Sequence, residues 1–131
     1  MASIYVDTSA LGRVLLAEPG ADATVAELAR YDDVVSSRLL RIELRRLGGR
    51  NGLDDEAQRL IANVTLMPVD DALLGAAELI LPTNIATLDA IHLVTALRLV
   101  ADGELDGFMT YNAQLAAGAV HHGLRVVAPQ G

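Results

Sequence analysis

The chain contains no cysteine and no lysine, and each absence excludes a class of chemistry. Without cysteine there are no disulfides, no thiolate nucleophile and no cysteine-based zinc site, which suits a reducing cytoplasm. Without lysine there is no Schiff-base catalysis and no P-loop lysine. Any positive charge needed at a functional site must therefore come from arginine, histidine or a bound metal ion.

Long apolar runs and a basic N-terminal segment are also missing. Hydrophobic residues make up 52% of the 131 residues, but they occur in runs shorter than the roughly 18–20 residues that a membrane span needs. No signal peptide is predicted, because Ile4 to Val6 lead straight into Asp7 without a preceding basic stretch. We therefore expect a single cytoplasmic domain, residues 1–131, with no membrane segment.

The net charge of −7 means that the chain as a whole would repel nucleic acid. Recruitment of a polyanion would have to depend on a bound metal and on local arginines. Arg38, Arg41 and Arg45 form a basic stripe on one side of a predicted helix. The sequence leaves open whether this stripe is a solvated face or a surface that contacts phosphates or an acidic partner.

Short β-branched segments alternate with longer helical patterns along the chain. Strands separated by such helices usually form a parallel sheet with helices on both faces, so the pattern predicts an α/β fold. The predicted strands are Ser3–Asp7, Asp33–Ser37, Val64–Met67, Gly107–Thr110 and Leu124–Ala128. The predicted helices are Ser9–Ala17, Ala21–Ala29, Arg38–Leu47 (ended by Gly48-Gly49), Asp54–Asn63, Asp70–Leu81 (with Asp70 as N-cap), Thr87–Ala101 and Ala113–His121.

Three acids lie in otherwise apolar segments. Asp7 ends the first strand, Glu43 lies on the apolar side of the helix that carries the arginine stripe, and Asp89 lies on a helix that is apolar almost all round. A buried carboxylate is costly unless a cation compensates it. Because the chain has no lysine, we expect the shared cation to be a divalent metal.

Each acid also has a purely structural explanation. Asp7 is a good N-cap for the helix that follows it. Glu43 could form a buried ion pair with Arg46 or Arg50 at the edge of its helix face. Asp89 lies in the first turn of its helix, where the helix dipole favours an acid.

Several other polar residues have structural explanations of the same kind. Asn112 follows the fourth strand at the same sheet edge as Asp7 and is expected to cap a helix. Thr110 could hydrogen-bond a carboxylate there. His92 lies one turn after an acid on an apolar helix and is expected to be a packed core residue. His121-His122 precedes Gly123 and is typical of a cationic helix C-terminus.

Taken in order, four segments resemble the PIN-domain ribonucleases, and most closely the VapC-type toxins of type II toxin–antitoxin pairs. They are Ile4–Leu11, Val35–Glu43, Leu88–Ala96 and Gly107–Asn112, and the tail Gly123–Pro129 fits as well. Each motif is common alone, but four in this order are quite specific. The resemblance implies a PIN-like three-layer α/β/α sandwich with a central parallel sheet of about five strands and its acids converging at one end.

The resemblance also implies a metal-dependent endoribonuclease that hydrolyses RNA by a metal-activated water. Its catalytic residues would be Asp7, Glu43, Asp89 and Asn112. The three acids would line a Mg²⁺ or Mn²⁺ site, with Asp7 and Asp89 as direct ligands. Thr8, Ser9 and Thr110 would orient the carboxylates. Relatives commonly have a fourth acid where this chain has Asn112, so the number of metal ions is left open.

Partners follow from the same resemblance. Relatives are usually homodimers, inhibited by a VapB-type antitoxin with a disordered basic and apolar tail. Such a tail would insert an arginine or lysine among the three acids. Its apolar side chains would lie in a groove along the early helices, for which we expect the lining Leu11, Val14, Leu15 and Leu40.

Two other functions are compatible with parts of the sequence. One is a catalytically weak PIN-fold binding module that acts through its complex with the antitoxin. The other is an aspartyl phosphatase or phospho-acceptor domain, since Asp7 ends a first strand. That chemistry usually needs a second nearby acid and a lysine, and Asp7-Thr8-Ser9 lacks the acid while the chain lacks the lysine.

Overall fold

The computed structural model describes residues 2–130 and places five short parallel strands in one sheet. The strands are β1 (Ser3–Val6), β2 (Asp33–Ser37), β3 (Thr65–Met67), β4 (Gly107–Met109) and β5 (Val126–Val127), paired in the order β3-β2-β1-β4-β5. From β1 the chain runs outwards to β2 and β3, and then returns to the other side of β1 to form β4 and β5. The strand order thus reverses at the β1–β4 pair, and in open parallel sheets ligands bind beyond the carboxyl ends of the strands at such a point.

Helices pack on both faces of this sheet. They are α1 (Thr8–Leu15), α2 (Ala21–Leu28), α3 (Leu39–Arg50), α4 (Asp54–Ala62), α5 (Asp71–Leu79), α6 (Thr87–Ala101) and α7 (Ala113–His121). The side chains of β1 alternate between two cores. Ile4 and Val6 pack with α1, α3 and α4, while Tyr5 packs with α6 and α7. The predicted three-layer α/β/α sandwich and its parallel sheet of five strands are confirmed.

Gly48-Gly49 does not end the third helix, contrary to the prediction. The helix α3 continues to Arg50, and Gly48 lies where α3 crosses α4. A Cβ at Gly48 would lie 2.9 Å from the Cβ of Ala57 and 3.0 Å from the carbonyl oxygen of Leu53. Glycine is therefore needed there for close helix packing. By contrast Asp70 caps α5 as predicted, since its carboxylate accepts a hydrogen bond from Leu73 N.

The groove predicted along the early helices is not formed by the residues expected to line it. Leu11, Leu15 and Leu40 are 3%, 6% and 0% exposed and belong to the core on the α1–α3 face, while Val14 is half-buried. The three leucines hold the helices on the sheet and are not available to line a groove for another chain. Within residues 2–130, no helix is long and apolar enough to cross a membrane.

Candidate active site

Asp7 lies directly after β1 and is only 2% exposed. Its Oδ1 accepts hydrogen bonds from Ser9 Oγ at 2.7 Å and from Ala10 N at 3.1 Å, and its Oδ2 accepts from Thr110 Oγ1 at 2.7 Å. The side chain therefore caps α1, as its structural explanation predicted, and also binds two hydroxyl groups. Burial raises the pKa of Asp7 even though these hydrogen bonds oppose the shift.

Asp7 has no arginine to compensate its charge. The ion pairs within residues 2–130 involve Glu27, Glu56, Glu43 and Asp70, and none includes Asp7. A carboxylate that is buried without a counter-charge is costly in its ionised form. The structure therefore shows the uncompensated buried acid from which the sequence predicted a cation.

The ends of β1 and β4 are joined at this point. Asp7 N donates to Met109 O at 3.3 Å, and Ser9 Oγ accepts from Tyr111 N at 2.9 Å. These bonds fix the position of Asp7 relative to the segment that follows β4. Asp106 lies at the opposite edge of the sheet, where its Oδ2 accepts from Ser3 N at 2.8 Å, so it cannot contribute to this site.

Asp89 lies half-buried in the first turn of α6. Its Oδ2 accepts a hydrogen bond from Asn112 Nδ2 at 3.2 Å. Burial raises the pKa of Asp89, and the negative charge of Asp7 and, to a smaller extent, that of Glu43 raise it further. Asp7 and Asp89 are thus close enough for their charges to interact, as we expected of acids that share one site.

Asn112 has both ends of its amide engaged. Its Oδ1 accepts from Leu115 N at 3.0 Å and so caps α7, as predicted, while its Nδ2 donates to Asp89. Because the backbone N–H of Leu115 requires an acceptor, the orientation of the amide is determined. The carbonyl oxygen of Asn112 is therefore used within the protein, and the group that it directs towards Asp89 is a donor.

Glu43 projects from α3 and is held by two donors. Its Oε1 accepts from Thr8 Oγ1 at 2.6 Å and lies 2.9 Å from His92 Nε2, and the side chain is 22% exposed. Burial favours the neutral acid, but the hydrogen bonds from His92 and Thr8 outweigh it and hold the pKa of Glu43 below its usual range. The alternative of an ion pair with Arg46 or Arg50 is wrong, because Glu43 pairs with histidine instead.

His92 is the site residue whose role the sequence did not reveal. It is 1% exposed, as expected of a core residue, yet both ring nitrogens are used. Nδ1 lies 2.6 Å from the hydroxyl of Tyr5, and Ser37 N donates to that same hydroxyl at 3.0 Å. Because an ionised carboxylate can only accept, Nε2 carries a proton and donates it to Glu43, while Nδ1 and the Tyr5 hydroxyl share one hydrogen bond.

The oxygen-only donor set suits a hard divalent cation. Within residues 2–130, no group of three or more Asp, Glu and His side chains is arranged so that it could hold a metal ion. Mg²⁺, however, is usually bound through one or two carboxylates, with waters and substrate phosphates completing its shell. Asp7 and Asp89 fit that description, whereas the bonds of Glu43 to Thr8 and His92 direct it to a supporting position.

Two cavities lie beside the site; Thr8 lines both, and neither is lined by Asp7 or Asp89. One of about 450 Å³ is lined by Glu43 and Thr8 together with Arg46, Arg50 and Leu88. The other, of about 470 Å³, extends from Thr8 along α1 to Tyr111. Glu43 and Thr8 therefore lie beside open space large enough for part of a polymeric substrate or for a segment of a partner chain.

The chain is similar to known proteins over most of its length. The PIN-domain family model matches residues 4–116. The chain is 37% identical to Ribonuclease VapC46 of Mycobacterium tuberculosis (strain ATCC 25618 / H37Rv), over 98% of this chain and 99% of that protein. It is 33% identical to Ribonuclease VapC47 of Mycobacterium tuberculosis (strain CDC 1551 / Oshkosh), over 96% of each.

A solved structure supports the fold independently. A chain of a toxin–antitoxin complex from Klebsiella pneumoniae superposes with a TM-score of 0.70 over 95% of each chain, and at 16% identity this likeness shows the fold alone. The family match covers most of the chain and the two relatives cover nearly all of it. The chain therefore belongs to the PIN-domain family and, within it, to the VapC-type proteins.

Proposed function

We propose that the protein is a metal-dependent endoribonuclease and the toxin of a toxin–antitoxin pair. The observation that carries this proposal is the buried Asp7 carboxylate, which has no cationic partner among residues 2–130 and lies close enough to Asp89 to raise the pKa of that acid. Two like charges held together in this way are suited to a divalent cation. The names of the two mycobacterial relatives support RNA as the substrate.

In this proposal Asp7 and Asp89 hold Mg²⁺ or Mn²⁺. The bound cation would lower the pKa of a water and neutralise charge on the scissile phosphate. Ser9 and Thr110 fix the two oxygens of Asp7, and Asn112 fixes one oxygen of Asp89. Each carboxylate oxygen has a second lone pair, so these hydrogen bonds orient the ligands without blocking them.

Glu43 would orient a water within the site. Thr8 and His92 both bind its Oε1, which leaves Oε2 free of these two donors on a side chain that is 22% exposed. Its lowered pKa keeps Glu43 ionised at neutral pH, so Oε2 accepts a hydrogen bond from the attacking water. Tyr5 supports this arrangement, since its hydroxyl lies 2.6 Å from His92 Nδ1 and holds the ring whose Nε2 donates to Glu43.

The test is RNA cleavage measured against Mg²⁺ and Mn²⁺ concentration. Asp7→Ala and Asp89→Ala should each abolish metal-dependent cleavage, because each removes a charge that the cation needs. Asp102→Asn is the matched control, since it removes an exposed acid at the end of α6 and should cleave like the wild type. Cleavage that persists in Asp7→Ala or Asp89→Ala would place the activity at another site or in a contaminant.

An antitoxin of VapB type is the partner that we propose. A basic side chain from its tail would compete with metal for Asp7 and Asp89 and form the ion pair that neither acid makes within residues 2–130. The apolar part of the tail would use the cavities that flank Thr8, because the leucines first expected to line a groove are buried. Stability of the co-purified complex, measured against Mg²⁺ and salt, tests this competition.

We also propose a homodimer, which light scattering would check.

A catalytically weak binding module remains the second candidate. One observation favours it: residues 2–130 contain no metal-holding group of three or more acidic or histidine side chains, and Asn112 adds no charge where relatives commonly have an acid. The same metal titration separates the two functions. A binding module would form the antitoxin complex normally and show no cleavage that depends on Asp7.

A further inference from the structure

Helix α3 concentrates positive charge on a protein whose net charge is −7. Five of the ten arginines lie on or immediately before this helix, and all five are exposed: Arg38, Arg41, Arg45, Arg46 and Arg50. None of them forms an ion pair within residues 2–130. Three of the remaining arginines do form ion pairs, namely Arg30, Arg59 and Arg98.

The spacing of these arginines places them in two adjoining rows. At about 100° per residue, Arg38, Arg41 and Arg45 fall within about 60° of one another around the helix. Arg46 and Arg50 form a second row, and Arg50 lies only about 20° from the direction of Glu43. From first to last the arginines extend for about 18 Å along the helix. The positive surface therefore begins beside the candidate active site and leads away from it.

Two neighbouring cavities follow the same path. The cavity of about 450 Å³ contains Glu43 and Thr8 at one end and Arg46 and Arg50 at the other. A second cavity of about 360 Å³ is lined by the first row of arginines, with Arg46, Ile42 and one carboxylate, Asp54. Arg46 and Ile42 line both cavities, so the two cavities adjoin at these side chains.

Apolar side chains are exposed beside this path. Ile42 is 54% exposed and Leu88 is 47% exposed, and both line the cavity that contains Glu43. An unpaired nucleic-acid strand offers phosphates to guanidinium groups and apolar base faces to such side chains. Guanidinium groups bind phosphate oxygens in a bidentate manner that suits them to this contact.

We propose that the five arginines of α3 bind the phosphates of a single-stranded RNA segment and lead it to the acids at the end of the sheet. The inference rests on the proposed nuclease function, and the surface is where the substrate of that nuclease would be held. An acidic peptide fits the path less well, because its carboxylates would be repelled by Glu43 and Asp89 at the inner end. For a phosphodiester, a cation held by Asp7 and Asp89 would offset this repulsion by binding a phosphate oxygen.

The experiment measures RNA binding separately from cleavage. The probe is a short fluorescein-labelled single-stranded RNA of mixed sequence, and binding by cleavage-inactive Asp89→Asn protein is followed by fluorescence anisotropy. Salt is varied from about 50 to 200 mM with Mg²⁺ present. Two double variants test the two rows: Arg41→Gln with Arg45→Gln, and Arg46→Gln with Arg50→Gln.

The matched control is Arg30→Gln with Arg59→Gln. It changes the net charge by the same two units, but its arginines lie on other parts of the surface. Each α3 double variant should lower the slope of log K against log salt by about 1.4, at about 0.7 for each lost phosphate contact on a single strand. The control should keep the wild-type slope.

Cleavage by otherwise wild-type protein provides the second measurement. The α3 double variants should raise KM and leave kcat nearly unchanged, because the arginines act on binding away from the reacting atoms. Slopes and KM values equal to those of the control would overturn the inference. So would α3 variants that bind RNA normally but lose the antitoxin, since the surface would then bind an acidic partner. Wild-type protein that neither binds nor cleaves RNA would overturn the proposed function itself.

Discussion

Replacing Asp7 with asparagine should stabilise the metal-free protein and abolish its metal response. The side chain is 2% exposed and accepts hydrogen bonds from Ser9, Ala10 and Thr110. An asparagine carbonyl can still accept from Ser9 Oγ and Ala10 N. Its amide can donate to Thr110 Oγ1, whose own proton can turn to Ser9 Oγ, 3.3 Å away. The substitution therefore preserves the hydrogen-bond network and removes only the charge.

The magnitude is the difference between two opposing effects. Removing the charge removes a desolvation penalty of about several kcal/mol for a buried ion. It also weakens three charge-assisted hydrogen bonds, by about 0.5–1 kcal/mol each. We expect a net gain of about 1–2 kcal/mol in the free energy of unfolding. For a domain of this size the gain corresponds to about 4–8 °C in Tm.

The gain should depend on pH in a defined direction. The pKa of Asp7 is raised in the folded state, so its stabilising contribution is present below the unfolded-state pKa and is lost as pH rises through the folded-state pKa. The stability difference between Asp7→Asn and wild type should therefore be smallest in acid and grow towards neutral pH. Glu43 has a lowered pKa and the opposite pH dependence, but it is common to both proteins and cancels in the difference.

Thermal unfolding across pH, with and without Mg²⁺, measures both effects. Mg²⁺ at a hundred times its Kd should add about 2.7 kcal/mol to the free energy of unfolding of wild type and so raise its Tm, and it should leave the Tm of Asp7→Asn unchanged. Asp102→Asn, which removes an exposed charge, should stay within about 0.5 kcal/mol of wild type and keep the metal response. If Asp7→Asn is less stable than this control at neutral pH, the claim of an uncompensated buried charge is refuted.

Three further substitutions test separate parts of the structure. Asn112→Asp replaces the donor that faces Asp89 with a like charge, so it should lower the metal-free Tm and increase stabilisation by Mg²⁺. RNA cleavage should stay unchanged or increase. A marked loss of cleavage would show that the amide has a required role. Tyr5→Phe removes the hydroxyl that forms a hydrogen bond with the buried His92, and it should lower the free energy of unfolding by about 1–3 kcal/mol. It should also lower kcat more than it changes KM. An unchanged kcat would show that the hydroxyl serves packing alone. Gly48→Ala forces a Cβ against the neighbouring helix and should lower the free energy of unfolding by about 1–3 kcal/mol, as measured by chemical denaturation. The control is Gly49→Ala, whose Cβ would lie 3.6 Å from its nearest neighbour, and it should be neutral or stabilising.

The fold could be predicted from the sequence because its signals are local. Strand β1 is an apolar run that ends at an acid, and Asp70 and Asn112 cap helices through short-range hydrogen bonds that their residue types favour. The prediction that α3 ends at Gly48 was wrong because a glycine that ends a helix and one that allows close packing look alike in sequence. The difference lies in α4, which packs against it.

The candidate site was predicted only in part, because part of it depends on distant contacts. The acids were identifiable as charges in apolar segments. The role of His92 was not, since its two partners lie 87 and 49 residues away in the chain. The buried leucines of α1 and α3 show the same limit, because periodicity marks an apolar face without showing whether the core already covers it.

Helix α3 carries a negative side chain on one side and positive side chains on another, because of the order of these residues around the helix. Glu43 lies on the edge that turns towards Thr8 and His92, while the arginines occupy the exposed arc. Asn112 gives the site one negative charge fewer than a fourth acid would. Its amide donates to Asp89, whose pKa is raised by the negative charge of Asp7. A site with fewer acids binds a cation less tightly when RNA is absent. The phosphates held by the arginines would then complete the cation's shell, so substrate and metal should each strengthen the binding of the other.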